Sequence, residues 1–576
     1  MQVFNMWRYS LLLLLGLTVF FTACKNDDQP APVLSITNIA PLTAPISGTV
    51  TITGTEFSST PASNTVTFGG NVVATVVSAT STQLIVSVPA GVQNGPITVK
   101  TGTQTATSTQ TFTLGAKPVV TVAGSISANT TWTASTIYVL RGFVTVANGV
   151  TLTIQPGTVI KGATKDQDPD GQNRGGTLII GQGAKIDARG TAQQPIVFTS
   201  SKAAGQRSYG DWGGVVLIGK APHNQPGATS PEGGIPGTLG TTNDPNDNSG
   251  VMQYVRIEFP GIALTNLANS EINGLTLYAV GSATTLDHIQ VSYSGDDSYE
   301  WFGGTVNAKY LVAYRGYDDD WDTDWGFTGK VQFGVSLRDP NVADQSASNG
   351  FESDNQAGTG IPTGLTPTTL AINNGLPLTE PIFANMSNFV FSGAPSADKT
   401  PNGSGSYQSG MHLRRNTAIS IYNSLVFGYP EGLRLDGQAT TTLANTASGK
   451  LDLRGIVIAN TNTPVLGAGT STAVSTLGAS ITNDQATAFL NEQGRSNQII
   501  PTSAIATLLL NPQNFNLTAP NFLPQAGSPL LSGAVTATKL SSNSFFTATT
   551  YRGAFGTENW VAGWTNFDPQ NTDYDK

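Results

Sequence analysis

Acidic side chains recur in this chain at a fixed interval. Asp296, Asp297 and Glu300 are followed 22 residues on (318 − 296 = 22) by Asp318, Asp319 and Asp322, with Asp320 and Asp324 beside them; Asp344 stands one further interval along. Carboxylates are hard oxygen ligands, and a dense set of them suits calcium, which takes about six to eight oxygens in flexible geometry. A second run, Asp166-Gln167-Asp168-Pro169-Asp170-Gly171, has the opening of a calcium loop, although Thr177 stands where the bidentate Glu of such a loop belongs. Tyr299, Trp301, Trp321 and Trp325 flank the first set, with Arg315 nearby. Aromatic faces beside carboxylates are a common means of holding sugar rings, so these five residues are the candidate ligand contacts.

Other chemistry is poorly supplied. The histidines are His223, His288 and His412, none in a zinc-type pair, and Cys24 is the one cysteine. An acid-rich patch can provide the two carboxylates of a glycosidase, and Arg315, Arg414 or Arg415 can serve as the base of a calcium-assisted lyase. The chain carries 28 Lys and Arg against 37 Asp and Glu, a net charge of −9, and lacks basic runs, which excludes nucleic acid as a partner.

Positioning these residues calls for a repeat. His288 to Ser292, Tyr310 to Tyr314 and Gln332 to Ser336 begin 22 residues apart (310 − 288 = 22; 332 − 310 = 22) and place apolar pairs inward at Ile289/Val291, Leu311/Ala313 and Phe333/Val335. This is the length of one coil of a right-handed parallel β-helix. Adjacent coils lie about 4.8 Å apart, so each stacked carboxylate pair repels by roughly 3.5 kcal/mol at an effective dielectric near 20. The acids either splay into solvent as a charged face or share a cation; calcium is the expected cofactor.

The remaining sequence reads as an all-β chain in several parts. Arg8, the apolar run Leu11 to Phe21 and Thr22-Ala23-Cys24 have the order of a secretory signal. Here the chain resembles a bacterial lipoprotein, with Phe21 where Leu is usual. The resemblance implies a signal peptide over 1–23, lipidation of Cys24 and, through Lys25-Asn26-Asp27-Asp28, an acidic tether over 24–32 that directs export to the outer face of the outer membrane.

Residues 33–115 alternate apolar and polar positions, as at Val50-Thr51-Ile52-Thr53, with turns at Gly48, Gly54 and Gly69-Gly70. With Ile39-Ala40-Pro41 and Val88-Pro89-Ala90-Gly91, they resemble an IPT/TIG, Ig-like domain. Residues 118–535 resemble the β-helix of surface lipoproteins through Trp132, Tyr138 to Gly142 and Leu152 to Thr158, with Gly527-Ser528-Pro529-Leu530-Leu531 as the final coil. Residues 536–576, bearing Tyr551, Phe555, Trp560 and Trp564, are expected to cap the open end.

The functional expectation is a lipid-anchored surface protein that presents a calcium-bearing face to a glycan or an envelope partner such as a nutrient transporter. A glycan-cleaving enzyme on the same scaffold and an adhesin acting through the IPT-like domain are the alternatives.

Overall fold

The computed structural model describes residues 33–225, 229–240, 243–262, 271–339, 341–355, 376–390, 405–437, 441–469 and 479–575. Cys24, the signal and the tether lie outside the described residues. No described helix is long and apolar enough to cross a membrane.

The N-terminal unit is an antiparallel sandwich in which Ser35–Ala40, Thr49–Thr55, Gln83–Ser87 and Val72–Ala79 pair in that order, and Asn64–Gly69 pairs with Gln93–Thr101. Strand alternation turns Ile39, Val50, Ile52, Val66, Val86 and Val99 inward, where Phe68 meets Phe112 edge to face at 5.0 Å.

The second unit is a stack of coils with three parallel ladders. One runs through Val159–Gly162, Ile196–Ser200, Gly250–Glu258, Thr285–Ser292 and Asn307–Tyr314 to Gln498–Ile500. A second runs through Thr177–Ile180, Gly214–Ile218, Leu275–Tyr278, Tyr299–Phe302, Trp321–Asp324, Phe351–Ser353, Ser409–Leu413 and Glu431–Asp436. The third includes Thr151–Ile154 and Lys185–Arg189 and shares the N-terminal halves of the long strands. Inward positions from all three make one continuous core, from Ile126 through Leu275, Ile289, Leu311 and Met411 to Leu453.

Coils turn at residues held in the left-handed region, which costs an L residue roughly 1 kcal/mol or more. At one corner these are Tyr254, His288, Tyr310 and Phe333, and at another Phe259, Tyr293 and Arg315. Stacking offsets the strain: the Tyr254, His288 and Tyr310 rings lie 4.4 Å apart in succession, and Tyr310 lies 5.1 Å from Phe333.

The 22-residue interval holds from Ile289 to Leu311 but lengthens to 23 at the next coil, where Leu311 pairs with Gly334 (334 − 311 = 23). Phe333 and Val335 therefore do not point inward as the regular spacing predicts. They face outward, with Val312, Phe389 and Phe427, under a cover of Phe522, Phe555, Trp560 and Trp564. That cover redefines the C-terminal segment. The last ladder strand is Gln498–Ile500, and Pro529–Leu531 is a 3₁₀ turn, not a coil. The aromatic tail is a strap along the first ladder instead of an end cap. It runs past His288 and Trp564 to Tyr574, whose hydroxyl donates to Glu258 at 2.6 Å, and to Asp575, paired with Lys161 at 2.5 Å. An apolar outward face this large has to be kept from water, and the tail supplies the surface that does so.

Trp321 illustrates how tightly the coils depend on one another: fully buried, it stacks on Tyr299 at 5.2 Å and donates from Nε1 to Asn388 at 3.0 Å. Trp321→Ala should destabilise the β-helix by about 3–5 kcal/mol, read as a lower denaturant midpoint for the β-helix unfolding transition.

Candidate metal centre

The second ladder carries the acids. Alternation along each strand fixes which side chains leave the coil, and parallel register stacks them. From the N-terminal side, one outward column reads Ile179, Val216, Thr276, Glu300, Asp322, Glu352, His412, Arg434. It is apolar, then acidic, then basic. A neighbouring column reads Tyr278, Phe302 and Asp324, with Asp354 following as its amide donates to the Thr323 carbonyl at 2.9 Å.

In the turn that leads into this ladder, Asp296 and Asp297 stack on Asp318 and Asp319. The Asp319 amide donates to Asp297 Oδ1 at 2.7 Å, and Ser346 Oγ donates to Asp318 Oδ2 at 2.7 Å.

Three groups of carboxylates converge, each with ligand oxygens within 4.8 Å of one another: Asp296, Asp297 and Asp318; Asp297, Glu300 and Asp322; Asp319, Asp322 and Glu352. Among the described residues, no Lys or Arg nitrogen comes within 4.0 Å of Asp296, Asp297, Glu300, Asp318, Asp319, Asp322 or Asp324. Burial, followed by repulsion from the stacked neighbours, pushes the carboxyls of Asp296, Asp297, Glu300, Asp319, Asp322 and Asp324 well above the usual range. Burial and then Asp344 raise Asp318 to about 7. Asp318 Oδ1 and Asp322 Oδ1 are shut from solvent and receive no hydrogen bond. Oxygens in this condition are what a hard cation coordinates, so these buried acidic groups can hold a metal ion.

The acidic stretch ends where arginine enters. Arg414 pairs with Glu352 and with Asp354 at 2.8 Å, and Arg415 pairs with Asp354 at 2.6 Å. Burial opposes ionisation of Glu352, but Arg414 prevails and holds it at about 2. His412 sits between Glu352 and Asp436, 3.4 Å from each. On the other flank, Ile235, Leu239, Ile262 and Ile272 cover Val216, Ile218 and Tyr278, and bring Glu232 toward the acids. The Glu232 amide donates to the Tyr278 hydroxyl at 3.0 Å, and burial together with Glu271 lifts its carboxyl to about 7.

Several candidates fall elsewhere. Asp344 does not continue the Glu300–Asp322 column; it shares Ser346 with Asp318, and Glu352 takes the rung. Asp320 turns away to Arg338 at 3.1 Å and the Tyr429 hydroxyl at 3.0 Å, a buried pair with its own counter-charge. Asp168 accepts the amides of Asp170, Gln172 and Arg174, which makes it the knot of a turn; the structure does not bring Asp166, Asp168 and Asp170 together as a ligand set.

The aromatic candidates are corrected. Tyr299, Trp301 and Trp321 are fully buried inside the coils, because the outward register belongs to Glu300 and Asp322. Trp325 is 4% exposed and packs on Phe302 and Tyr278. Arg315 pairs with Asp339 and lies over the Tyr293 ring at 4.9 Å. The half-buried Tyr317 adjoins Asp318, and Tyr209 packs between it and Tyr293.

Glu352, Asp354, His412 and Arg414 escaped the spacing argument. Asp322 and Glu352 are 30 residues apart and Glu352 and His412 are 60 (352 − 322; 412 − 352), so longer stretches of chain separate these rungs than the regular interval. The nearest signal was the pattern of an acid or base flanked by apolar residues, as in Phe351-Glu352-Ser353 and Met411-His412-Leu413.

Comparison with known proteins agrees with the architecture. The profile of the IPT/TIG domain matches residues 34–114. No curated protein matches the chain. Among solved structures, an auxiliary nutrient binding protein from Bacteroides thetaiotaomicron is 22% identical, over 15% of this chain and 22% of that one, with a TM-score of 0.15. Another of that description from Bacteroides ovatus is 17% identical, over 15% of this chain and 21% of that one, with a TM-score of 0.14. The chain thus spans about a fifth of the length of these structures. The pectate-lyase-like β-helix profile matches residues 124–499, well over half of the chain, and the protein belongs to that family.

Proposed function

We propose that this protein is a lipid-anchored binding protein of the cell surface whose β-helix holds calcium on its second ladder and uses the loaded face to engage a glycan or an envelope partner. The observation that carries the reading is the stack itself: seven carboxylates on successive rungs and turns, two with buried oxygens that have no donor among the described residues, and no described Lys or Arg in contact until Arg414. A stack of this kind has two ways to persist at neutral pH, protonation or a cation, and oxygen-only ligands favour calcium. Lipidation at Cys24 and exposure on the outer membrane complete the proposal, supported by the order of residues before the cysteine.

With the five aromatic and cationic contacts expected from the sequence buried or packed away, the half-buried Tyr317 beside Asp318, against which Tyr209 packs, becomes the glycan contact. Tyr317 is adjacent to Asp318 in the turn, and burial followed by Asp344 and Asp318 raises its hydroxyl above the ordinary range.

The pH dependence has a definite sign. The folded, cation-free Asp318 titrates at about 7, above the carboxylate value of the unfolded chain. A raised folded pKa means that stability is fullest in acid and is lost as pH climbs from about 4 to about 7. Chelated protein should therefore melt progressively lower across that window. Added calcium should restore the melting temperature strongly at pH 7.5 and little at pH 5; an equal calcium effect at both would refute the assignment.

Glu300→Gln removes one repelling charge. It should raise the melting temperature of the chelated protein and shrink the calcium-dependent gain, whereas a fall in the chelated protein would show that the carboxylate is needed for packing.

Surface anchoring and ligand class are tested together in cells. A fatty-acid analogue should label the wild type and not Cys24→Ser, and calcium-dependent retention on a glycan array should weaken in Tyr317→Ala. Unsaturated products or new reducing ends from those glycans would replace the binding reading with an enzymatic one.

A further inference from the structure

The three carboxylate groups are not independent. Asp297 belongs to the first and second, and Asp322 to the second and third. Groups that share a ligand form a row along the ladder, and a carboxylate with two oxygens can bridge adjacent cations.

The groups differ in what already satisfies them. The first contains Asp318 Oδ1, and the second shares Asp322 Oδ1 with the third; each is a solvent-inaccessible oxygen with no donor among the described residues. Asp297 and Glu300, which complete these two groups, are 6% and 8% exposed. The third group is furnished with donors. Asn349 gives its amide N–H to Asp319 Oδ1 and its side-chain Nδ2 to Glu352 Oε2 at 3.1 Å, and Arg414 pairs with Glu352 Oε1. The first two groups thus have no Lys or Arg in contact among the described residues, with Asn273 donating to Glu300 in the second, whereas the third has a guanidinium paired to its Glu352.

From this we infer that the centre is binuclear. Two calcium ions sit on successive rungs, one between Asp296, Asp297 and Asp318 and one between Asp297, Glu300 and Asp322, with Asp297 bridging them and Arg414 occupying the place a third would take. The inference rests on the calcium reading above and adds stoichiometry and coupling to it. Asp297 is suited to bridging because its Oδ1 is already oriented by the Asp319 amide, at 2.7 Å, so the side chain is held in place before any ion arrives.

The test counts ions. Full-length protein, stripped with chelator and titrated with calcium, should bind two equivalents by calorimetry and by native mass spectrometry. Asp318→Asn and Asp322→Asn should each retain one equivalent. Asp297→Asn should weaken both at least tenfold, since each ion loses the shared ligand. Glu352→Gln should still bind two, because its group is served by Arg414 and Asn349. Asp297→Asn, Asp318→Asn and Asp322→Asn remove a negative charge from a repelling stack, and Glu352→Gln leaves Arg414 paired with Asp354, so melting in chelator verifies that each is folded. A single equivalent in the wild type, Asp297→Asn retaining both, or Glu352→Gln losing one would overturn the binuclear centre while leaving calcium binding intact. No heat and no calcium-dependent melting shift in the wild type would overturn the calcium reading itself.

Discussion

Like charges held at rung spacing are the constraint around which the second ladder is organised. A parallel β-helix repeats its backbone at about 4.8 Å, and whatever leaves one rung meets its counterpart on the next. For Tyr254, His288 and Tyr310 this geometry is favourable, since rings at 4.4 Å stack. For Glu300, Asp322 and their neighbours it is costly by the same arithmetic, and burial raises that cost by removing water. The coil tolerates the acids in two ways visible along one column. At Glu352 the counter-charge is covalently part of the chain, as Arg414. At Glu300 and Asp322 no described Lys or Arg is in contact, and apart from the Asn273 amide that donates to Glu300 the oxygens face one another.

The rest of the coil is built to keep those rungs in register. Left-handed corner residues fix where each strand begins, and their stacked side chains make the corners cooperative instead of individually strained. The first ladder is secured from outside. Its outward Val312, Val335 and Phe389 are covered by the C-terminal strap, and the strap is pinned far from the last coil through Tyr574 on Glu258 and Asp575 on Lys161. Tethering early coils to the chain's end joins residues more than 300 apart in sequence, as Tyr574 and Glu258 show at a separation of 316. This limits fraying of the stack at its edges.

How much of this was legible follows from where the period is regular. Between Thr285 and Asp324 the coils are equal, so spacing alone placed Asp296 on Asp318, Asp297 on Asp319 and Glu300 on Asp322. One added residue before Gly334 was enough to reverse the inside and outside of the next strand, because strand alternation has a period of two. The insertions between Glu352 and His412 hid the basic end of the column altogether. The aromatic candidates failed for a related reason. Composition cannot distinguish Trp321 from Asp322, adjacent in sequence and opposite in orientation; once the acids are assigned outward, alternation sends Tyr299, Trp301 and Trp321 into the core. The tail was expected to cap the open end; it lies along the first ladder instead, because the outward apolar residues it covers fall on strands whose register the sequence did not reveal.

The charge order along the outward column gives the ladder a direction. Apolar rungs at Ile179 and Val216 lie under the covering segment, acidic rungs follow at Glu300 and Asp322, and mixed rungs at Glu352, His412 and Arg434 close the series. A cation at the Glu300 and Asp322 rungs would be held by oxygens and would find Arg414 at the Glu352 rung beyond, so its position is bounded by electrostatics as well as by ligand geometry. The same ordering keeps the acids from spreading their repulsion along the entire stack. Arg414 and Arg415 absorb it at one end, and at the other Tyr278 and Phe302, stacked at 4.6 Å, present no charge to oppose. A repeat fold that must stack identical positions therefore confines an intrinsically unfavourable element to a few rungs. Within those rungs a bound ion changes the balance most.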